Sequence, residues 1–146
     1  SAGGLFGSLQ GATVKDIKFI DVQAVNGAPM SVITGSMYDT TLENITVTVK
    51  GNVNVKGWND GTESVGIISS NRVLNIILKN VTVNATGCSF ETVFGKGYGN
   101  KTAKITCSNV VINVKALDYI TTNSNNDETL AVGAVEDITV NLTEEQ

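Results

Sequence analysis

A six-residue stretch that recurs along the chain constrains the fold more than any other feature. Its first copy, Val14–Phe19, carries Asp at its third position. The other copies, Leu42–Val47, Val73–Leu78, Cys107–Ile112 and Val135–Val140, carry Asn or Asp there. The Asp or Asn lies at positions 16, 44, 75, 109 and 137, in steps of 28, 31, 34 and 28 residues. Repetition at this period is typical of stacked solenoid repeats.

In every copy, the first, fourth and sixth positions are apolar, on either side of the Asp or Asn at the third. A period of two indicates strands, and the polar interruption predicts a bend between two strand segments. Asp and Asn suit a bend because they tolerate left-handed dihedral angles. We expect the apolar residues that follow the bend to be buried in one stacked column: Ile17, Ile45, Ile76, Val110 and Ile138. Asp21 and Asn80 break the alternation, which predicts a bulge or early turn in the first and third copies.

A second family of stretches lies between the copies, so each coil contains at least two strands. Its members, Gly27–Gly35, Gly61–Ser69 and Gly87–Gly95, align without gaps. Because the same positions are apolar in every copy, the copies are expected to stack as layers roughly 4.8 Å apart. Parallel crossovers are right-handed as a rule. The sequence thus predicts an all-β fold, a right-handed parallel β-helix of about five coils, as a single domain over residues 1–146. An antiparallel sandwich or barrel is the alternative, since degenerate strands can imitate repeats.

Charge and hydropathy limit the classes of partner that the chain can be expected to bind. The net charge is −4 and Arg72 is the only arginine, which argues against nucleic acid. No apolar run reaches the roughly 18–20 residues of a membrane span, and no signal peptide is present. Because the chain opens inside a repeat, we expect adjacent domains of a longer parent protein to contact it. We expect Cys88 and Cys107 to be free thiols, with a disulfide as the alternative.

The stretch from Gly3 to Asp16, which begins Gly-Gly-Leu-Phe-Gly-Ser-Leu-Gln-Gly, is followed by a turn near Asn26-Gly27. It resembles the GLUG-type repeat of bacterial surface proteins, adhesins and surface-anchored peptidases. The resemblance implies a β-helical stalk or adhesive module outside the cell, and it transfers no catalytic residue. Asn-X-Thr triplets would allow glycans in a eukaryotic secreted protein. A glycan on Asn44 would disrupt the repeated bend, however, so an exported bacterial protein is favoured.

The residues give little support to catalysis. β-Helical polysaccharide lyases and hydrolases use clustered carboxylates, often with calcium. Here histidine is absent, and the carboxylates fall mostly in bends and loops. Asp60 and Glu63 lack the spaced ligands of a calcium loop. We therefore expect no catalytic residue, no metal and no cofactor. The outward column after the bend, read as Lys18, Thr46, Ile77, Val111 and Thr139, is too irregular for an ice-binding hydroxyl array.

Two groups of residues are candidates for binding. Trp58, Tyr98 and Tyr119 lie in the longer loops and could stack on sugar rings, or they could fold back over the scaffold. Leu74, Ile77 and Val111 occupy outward positions and are expected to form one apolar patch. That patch would be covered by the chain's own segment 116–129 or 50–61, or by a partner, a neighbouring domain or a second copy.

These observations together predict a non-catalytic extracellular module of a bacterial surface protein, with a structural or adhesive role. A glycan or a host or cell-surface protein would be its partner. A carbohydrate-binding or polysaccharide-processing β-helix domain is the alternative.

Overall fold

A computed structural model describes residues 3–23, 30–56, 65–70, 73–95, 104–118 and 136–144. These residues form eight β-strands and no helix: β1 Phe6–Gln10, β2 Thr13–Gln23, β3 Thr34–Lys50, β4 Gly66–Ser69, β5 Val73–Phe90, β6 Thr92–Phe94, β7 Ile105–Leu117 and β8 Ile138–Leu142. The all-β prediction is confirmed. Among the described residues, no helix is long and apolar enough to cross a membrane.

Every strand pairing is parallel, and the strands stack as the layers of a solenoid. β2, β3, β5, β7 and β8 follow one another in one stack. A second stack joins β1, the start of β3, β4 and β6. The predicted parallel solenoid is confirmed, and the antiparallel alternative is wrong.

The solenoid makes about three turns, which corrects the expected five coils. In the second stack, Phe6 pairs with Thr34, Thr34 with Ser69, and Ser69 with Phe94, so the chain returns to this wall three times. The expected number counted strand layers, of which the first stack has five. Layers exceed turns because the layers of a stack are joined by fewer turns than there are layers. Positions 119–135, between β7 and β8, lie outside the described residues.

The register of the third layer differs from the prediction. The stacked column contains Ile17, Ile45, Val81, Val110 and Ile138. Ile76 instead pairs with Thr40 and Ile105. The third copy of the repeat is therefore Leu78–Val83, five residues later than expected. The reason lies in β5, where Asn75-Ile76 and Asn80-Val81 both present an Asn followed by a buried apolar residue.

These two asparagines mark a pair of corners within one strand. In β5 the φ angles are 54° at Asn75 and 51° at Asn80, and in β3 they are 48° at Asp39 and 54° at Asn44. Each of these two strands, β3 and β5, therefore bends twice, at left-handed residues five positions apart. Asp and Asn adopt this conformation more readily than other non-glycine residues. The predicted bend at the repeated Asp or Asn is confirmed.

The predicted irregularity is present in the first layer only. The register between β2 and β3 shifts between Phe19 and Val22, and Asp21 within the shift has a φ of 57°. This is the expected bulge. In the third layer the prediction was wrong, because Asn80 is itself the corner of the repeat rather than an interruption after it.

The core lies between the stacks and is best buried in the middle layers. Ile45, Val81 and Val110 are 3%, 0% and 1% exposed, while Ile17 in the first layer is 36% exposed. The predicted burial is confirmed at the centre and wrong in the end layers, where Ile17 is exposed and Ile138 is only half-buried. In a solenoid each layer contacts only its neighbours, so β2, which pairs with β3 alone in this stack, is covered on one side.

Both cysteines are free, as predicted. Cys107 pairs with Leu78 in the inner column that also contains Val14 and Leu42. Cys88 is fully buried and its Sγ donates a 3.5 Å hydrogen bond to the carbonyl of Gly51.

Candidate functional site

A row of side chains, which we call the asparagine ladder, runs along the corner that precedes the stacked column. It consists of Asp16, Asn44, Asn80 and Asn109, one from each successive layer, with Asp137 in the fifth. Nδ2 of Asn44 donates to Oδ1 of Asp16 at 2.9 Å, and Nδ2 of Asn80 donates to Oδ1 of Asn44 at 3.1 Å. Nδ2 of Asn109 donates to Oδ1 of Asn80 at 2.9 Å. The ladder therefore has one direction, with every donor pointing toward the first layer.

A second row, the outer ladder, lies four residues further along the same strands. Nδ2 of Asn113 donates to Oδ1 of Asn84 at 2.8 Å, and Nδ2 of Asn141 donates to Oδ1 of Asn113 at 2.9 Å. In the layer before, Thr48 pairs with Asn84. The outer ladder points in the same direction as the asparagine ladder.

Between the two ladders lies an outward column that we call the threonine column. The register gives its members as Lys18, Thr46, Thr82, Val111 and Thr139. Thr82 takes the place that the sequence alignment had assigned to Ile77. Lys18 and Val111 still interrupt the hydroxyl groups, so the column is not a continuous hydroxyl array.

A shallow, open groove of about 640 Å³ follows the asparagine ladder and the threonine column. Its lining residues are Asp16, Ile17, Lys18, Asn44, Thr46, Asn80, Thr82 and Asn109. The only charged residues among them, Asp16 and Lys18, belong to the first layer. Ile17 adds an apolar side chain in the same layer, and the rest of the groove is lined by amides and by the hydroxyl and methyl groups of threonine.

The ladders leave part of each amide available. An Asn side chain has two N–H donors and an oxygen with two lone pairs. Asn44 and Asn80 each use one donor and one lone pair in the ladder, so one of each remains. Within the described structure, the hydroxyls of Thr46 and Thr82 make no hydrogen bond to protein. The groove can therefore bind a hydroxyl-rich ligand, but amides and hydroxyls do not serve as general acids or bases near neutral pH.

The structure does not unite the predicted apolar patch. Leu74 and Ile77 are 39% and 37% exposed, and Ile77 pairs with Thr41 and Thr106. Val111 pairs instead with Thr82, on the segment beyond the next corner. The expected single patch of Leu74, Ile77 and Val111 is wrong, because it rested on the register that placed Ile77 in the threonine column.

The segments proposed to cover that patch lie only partly within the described residues, and the aromatic candidates lie outside them. Within segment 116–129, Leu117 is 1% exposed and pairs with Phe90, so it belongs to the core. Trp58, Tyr98 and Tyr119 lie outside the described residues.

Other reactive groups of the described chain are dispersed. No group of three or more His, Cys, Asp or Glu side chains is placed to hold a metal within these residues. Lys56 and Asp118 form an exposed ion pair at 3.0 Å. Burial, and secondarily the Asp137 carboxylate, raises the pKa of the Cys107 thiol from 9.0 to about 11. That thiol is therefore neutral at physiological pH and a weak nucleophile.

The groove was missed in the sequence, although the sequence contains a signal for it. Three layers share a five-residue pattern with Asn or Asp first and Asn last: Asn80–Asn84, Asn109–Asn113 and Asp137–Asn141. In β3 the corresponding segment runs from Asn44 to Thr48, with Thr in place of the last Asn. The segment that begins at Asn75 ends in Lys79 and does not fit. Alignment on both polar positions would have found the correct register.

The chain matches no family model, no curated protein and no solved structure.

Proposed function

We propose that this chain is a non-catalytic, extracellular β-helical repeat module of a bacterial surface protein, with a structural or adhesive role. The observation that carries the proposal is the series of side-chain hydrogen bonds that runs from layer to layer along the solenoid axis. Asp16, Asn44, Asn80 and Asn109 join four successive layers in this way, at distances of 2.9–3.1 Å. Such bonds add to the backbone ladders and join successive layers along the solenoid axis.

A stack whose layers are bonded to one another along the axis suits a stalk. Solenoids grow by adding layers, and each new layer needs only its neighbour for stability. Among the described residues, β2 pairs with β3 alone and β8 with β7 alone, which is the geometry that further coils or a capping domain of the parent protein would use. The resemblance of residues 3–16 to the GLUG-type repeat supports a surface location, and the general rule for parallel crossovers supports a right-handed helix.

Carbohydrate binding is the second candidate function, and a specific observation favours it. The 640 Å³ groove presents the spare donors and acceptors of Asn44 and Asn80 beside the hydroxyls of Thr46 and Thr82. A glycan or a glycosylated surface protein is the partner that these groups could recognise.

Surface exposure on the producing cells tests the proposal. Antibodies raised against the folded module should label intact cells, and externally added protease should remove that labelling. Labelling that appears only after the cells are broken would contradict an extracellular role. The purified module should also release no reducing ends from polysaccharides, whereas measurable release would contradict the non-catalytic assignment.

A further inference from the structure

The face that carries the two ladders and the threonine column is uncharged over most of its area. From the second layer onward, the outward residues of this face are Asn44, Thr46, Thr48, Asn80, Thr82, Asn84, Asn109, Val111, Asn113, Thr139 and Asn141. Charged residues flank it closely: Lys79 precedes Asn80 in the sequence, and Lys115 follows one residue after Val114 at the end of the face. Only Asp16, Lys18 and Asp137 bring charge to its end layers. Apart from Val111, the centre of the face therefore consists of neutral hydrogen-bonding groups.

These groups are fixed before any ligand arrives. Asn44, Asn80 and Asn113 are each held by a hydrogen bond on both sides, as Asn80 is between Asn44 and Asn109. Their spare N–H groups and lone pairs therefore keep one orientation, and binding does not have to order a mobile side chain. Preorganised polar groups of this kind favour a ligand whose own groups both donate and accept. A sugar hydroxyl meets that requirement.

The same set of groups repeats along the axis. Parallel layers lie about 4.8 Å apart, and alternate residues along a strand are separated by about 6.6 Å. A ligand that fits one layer can fit the next if it repeats at a similar distance. A pyranose ring in an extended chain advances by a comparable length, so successive sugars of a linear polysaccharide can meet equivalent amides.

We propose that the groove along the asparagine ladder binds a neutral, linear polysaccharide that lies along the solenoid axis. This inference rests on the binding role put forward above and names its ligand class. Amides of Asn44 and Asn80 hydrogen-bond sugar hydroxyls, Thr46 and Thr82 add hydroxyls, and the threonine methyl groups pack against the ring C–H groups. Neutral chains are favoured because recognition of an anionic polymer relies on Arg or Lys, and Lys18 is the one cation among the described residues that line the groove.

No aromatic residue is among the described residues that line the groove, so the contacts they offer each sugar are polar and individually weak. Affinity then depends on the number of layers engaged at once, since linked sugars bind as a multivalent ligand. Long chains should bind, whereas mono- and disaccharides should compete poorly. This dependence on length separates an axial groove from a pocket that grips one terminal sugar.

Affinity electrophoresis with matched double variants tests the proposal. The whole chain is run in native gels that contain mixed-linkage β-glucan, galactomannan or, as the anionic probe, polygalacturonate. The groove variant Thr46→Val with Thr82→Val removes two hydroxyls but keeps the shape and both ladders. The control, Thr41→Val with Thr106→Val, makes the same chemical change on the neighbouring segment, outside the groove.

We expect retardation by a neutral polysaccharide, weakened about tenfold in the groove variant and unchanged in the control, because each lost hydrogen bond reduces affinity by a few-fold. Val111→Thr should strengthen retardation by supplying the missing hydroxyl. Retardation by polygalacturonate alone, equal losses in both double variants, or no retardation by any polymer would overturn the proposal. Binding that survives in the groove variant but is lost on Trp58→Ala would assign the ligand to the loop aromatics instead. None of these outcomes affects antibody labelling of intact cells, so the surface role stands or falls separately.

Discussion

Replacing Asn80 tests whether the asparagine ladder stabilises the solenoid and why asparagine occupies the corner. Asn80 makes two side-chain hydrogen bonds, one to Asn44 and one from Asn109, and its φ is 51°. Asn80→Gly removes both bonds but accepts the left-handed backbone without strain. Asn80→Ala removes the same bonds and also places a β-carbon in an unfavourable backbone region. The difference between the two variants therefore isolates the backbone contribution.

The expected magnitudes follow from these contacts. A neutral hydrogen bond contributes about 0.5–1.5 kcal/mol net, and exposed ones lie toward the lower end. Loss of two should lower the free energy of unfolding by about 1–2 kcal/mol in Asn80→Gly. A left-handed alanine adds about 1–2 kcal/mol, so Asn80→Ala should cost about 2–4 kcal/mol. Asn75→Gly is the matched control. Asn75 lies at the other corner of β5 with a φ of 54°, but it makes one side-chain hydrogen bond between layers, to Asp39 at 2.7 Å.

Urea titration measures all three variants, and the dependence of the free energy on urea should keep the wild-type slope. The expected order of destabilisation is Asn80→Ala, then Asn80→Gly, then Asn75→Gly. If Asn80→Gly were as stable as the wild type, the ladder would contribute nothing. If the alanine and glycine variants were equally stable, the left-handed corner would be refuted.

Three further changes probe the core, the thiol and the end of the ladder. Ile76→Ala should lower the free energy of unfolding by about 2–5 kcal/mol, and Ile17→Ala should lower it clearly less, because Ile76 is 1% and Ile17 36% exposed; equal losses in urea titration would contradict the layer model. The pKa of Cys107, raised by burial to about 11, predicts that its alkylation rate keeps rising between pH 9 and 11. Since the folded pKa lies above the unfolded one, the corresponding stability is present below pH 9 and declines as the pH rises toward 11; a rate already constant at pH 9 would refute the shift. Asp137→Asn should raise the free energy of unfolding by about 0.5–1.5 kcal/mol by donating to Asn109, and should bring the pKa of Cys107 closer to 9.0; a less stable variant would contradict the direction of the ladder.

The sequence was sufficient for the parallel stack because two independent signals agree there. Apolar residues recur with the layer period, and Asp or Asn recurs where the strand bends. The side-chain type fixes the backbone at these corners, so Asp16, Asn44, Asn109 and Asp137 were all placed correctly, each with φ between 53° and 62°. The free thiols were predictable because Cys107 occupies an inward, apolar position.

The third layer could not be placed from apolar periodicity alone. Asn75-Ile76 and Asn80-Val81 satisfy the same local rule, since each long strand has two corners and both favour Asn or Asp. The spacing in the chain did not separate them either: the true return from Asn44 takes 36 residues and the following one 29. An average period of repeats favoured the nearer asparagine. The outward polar pattern, which depends on hydrogen bonds between layers, carried the information that the inward pattern lacked.

The same dependence explains why the candidate site was overlooked. From the sequence, binding was assigned to the loop aromatics, because a single aromatic residue can be identified as a binding candidate without knowledge of its neighbours in space. The groove has no single conspicuous residue, and Thr82 enters the threonine column only when β5 takes its correct register. A site made by stacking becomes visible once the stacking partners are known.

The direction of the asparagine ladder determines which residue suits each layer. An interior layer must donate to the layer before it and accept from the layer after it, and an amide does both, whereas an ionised carboxylate only accepts. Asp16 therefore fits the first layer, where it receives the 2.9 Å bond from Asn44 and has nothing to donate to. Asp137 lies at the opposite end, where the ladder requires a donor toward Asn109, and its carboxylate has none to offer. Because the inner three residues are amides, the middle of the face carries no charge and keeps a spare donor and acceptor in each layer. The requirement that stabilises the stack thus also produces the neutral groove that a polysaccharide could occupy.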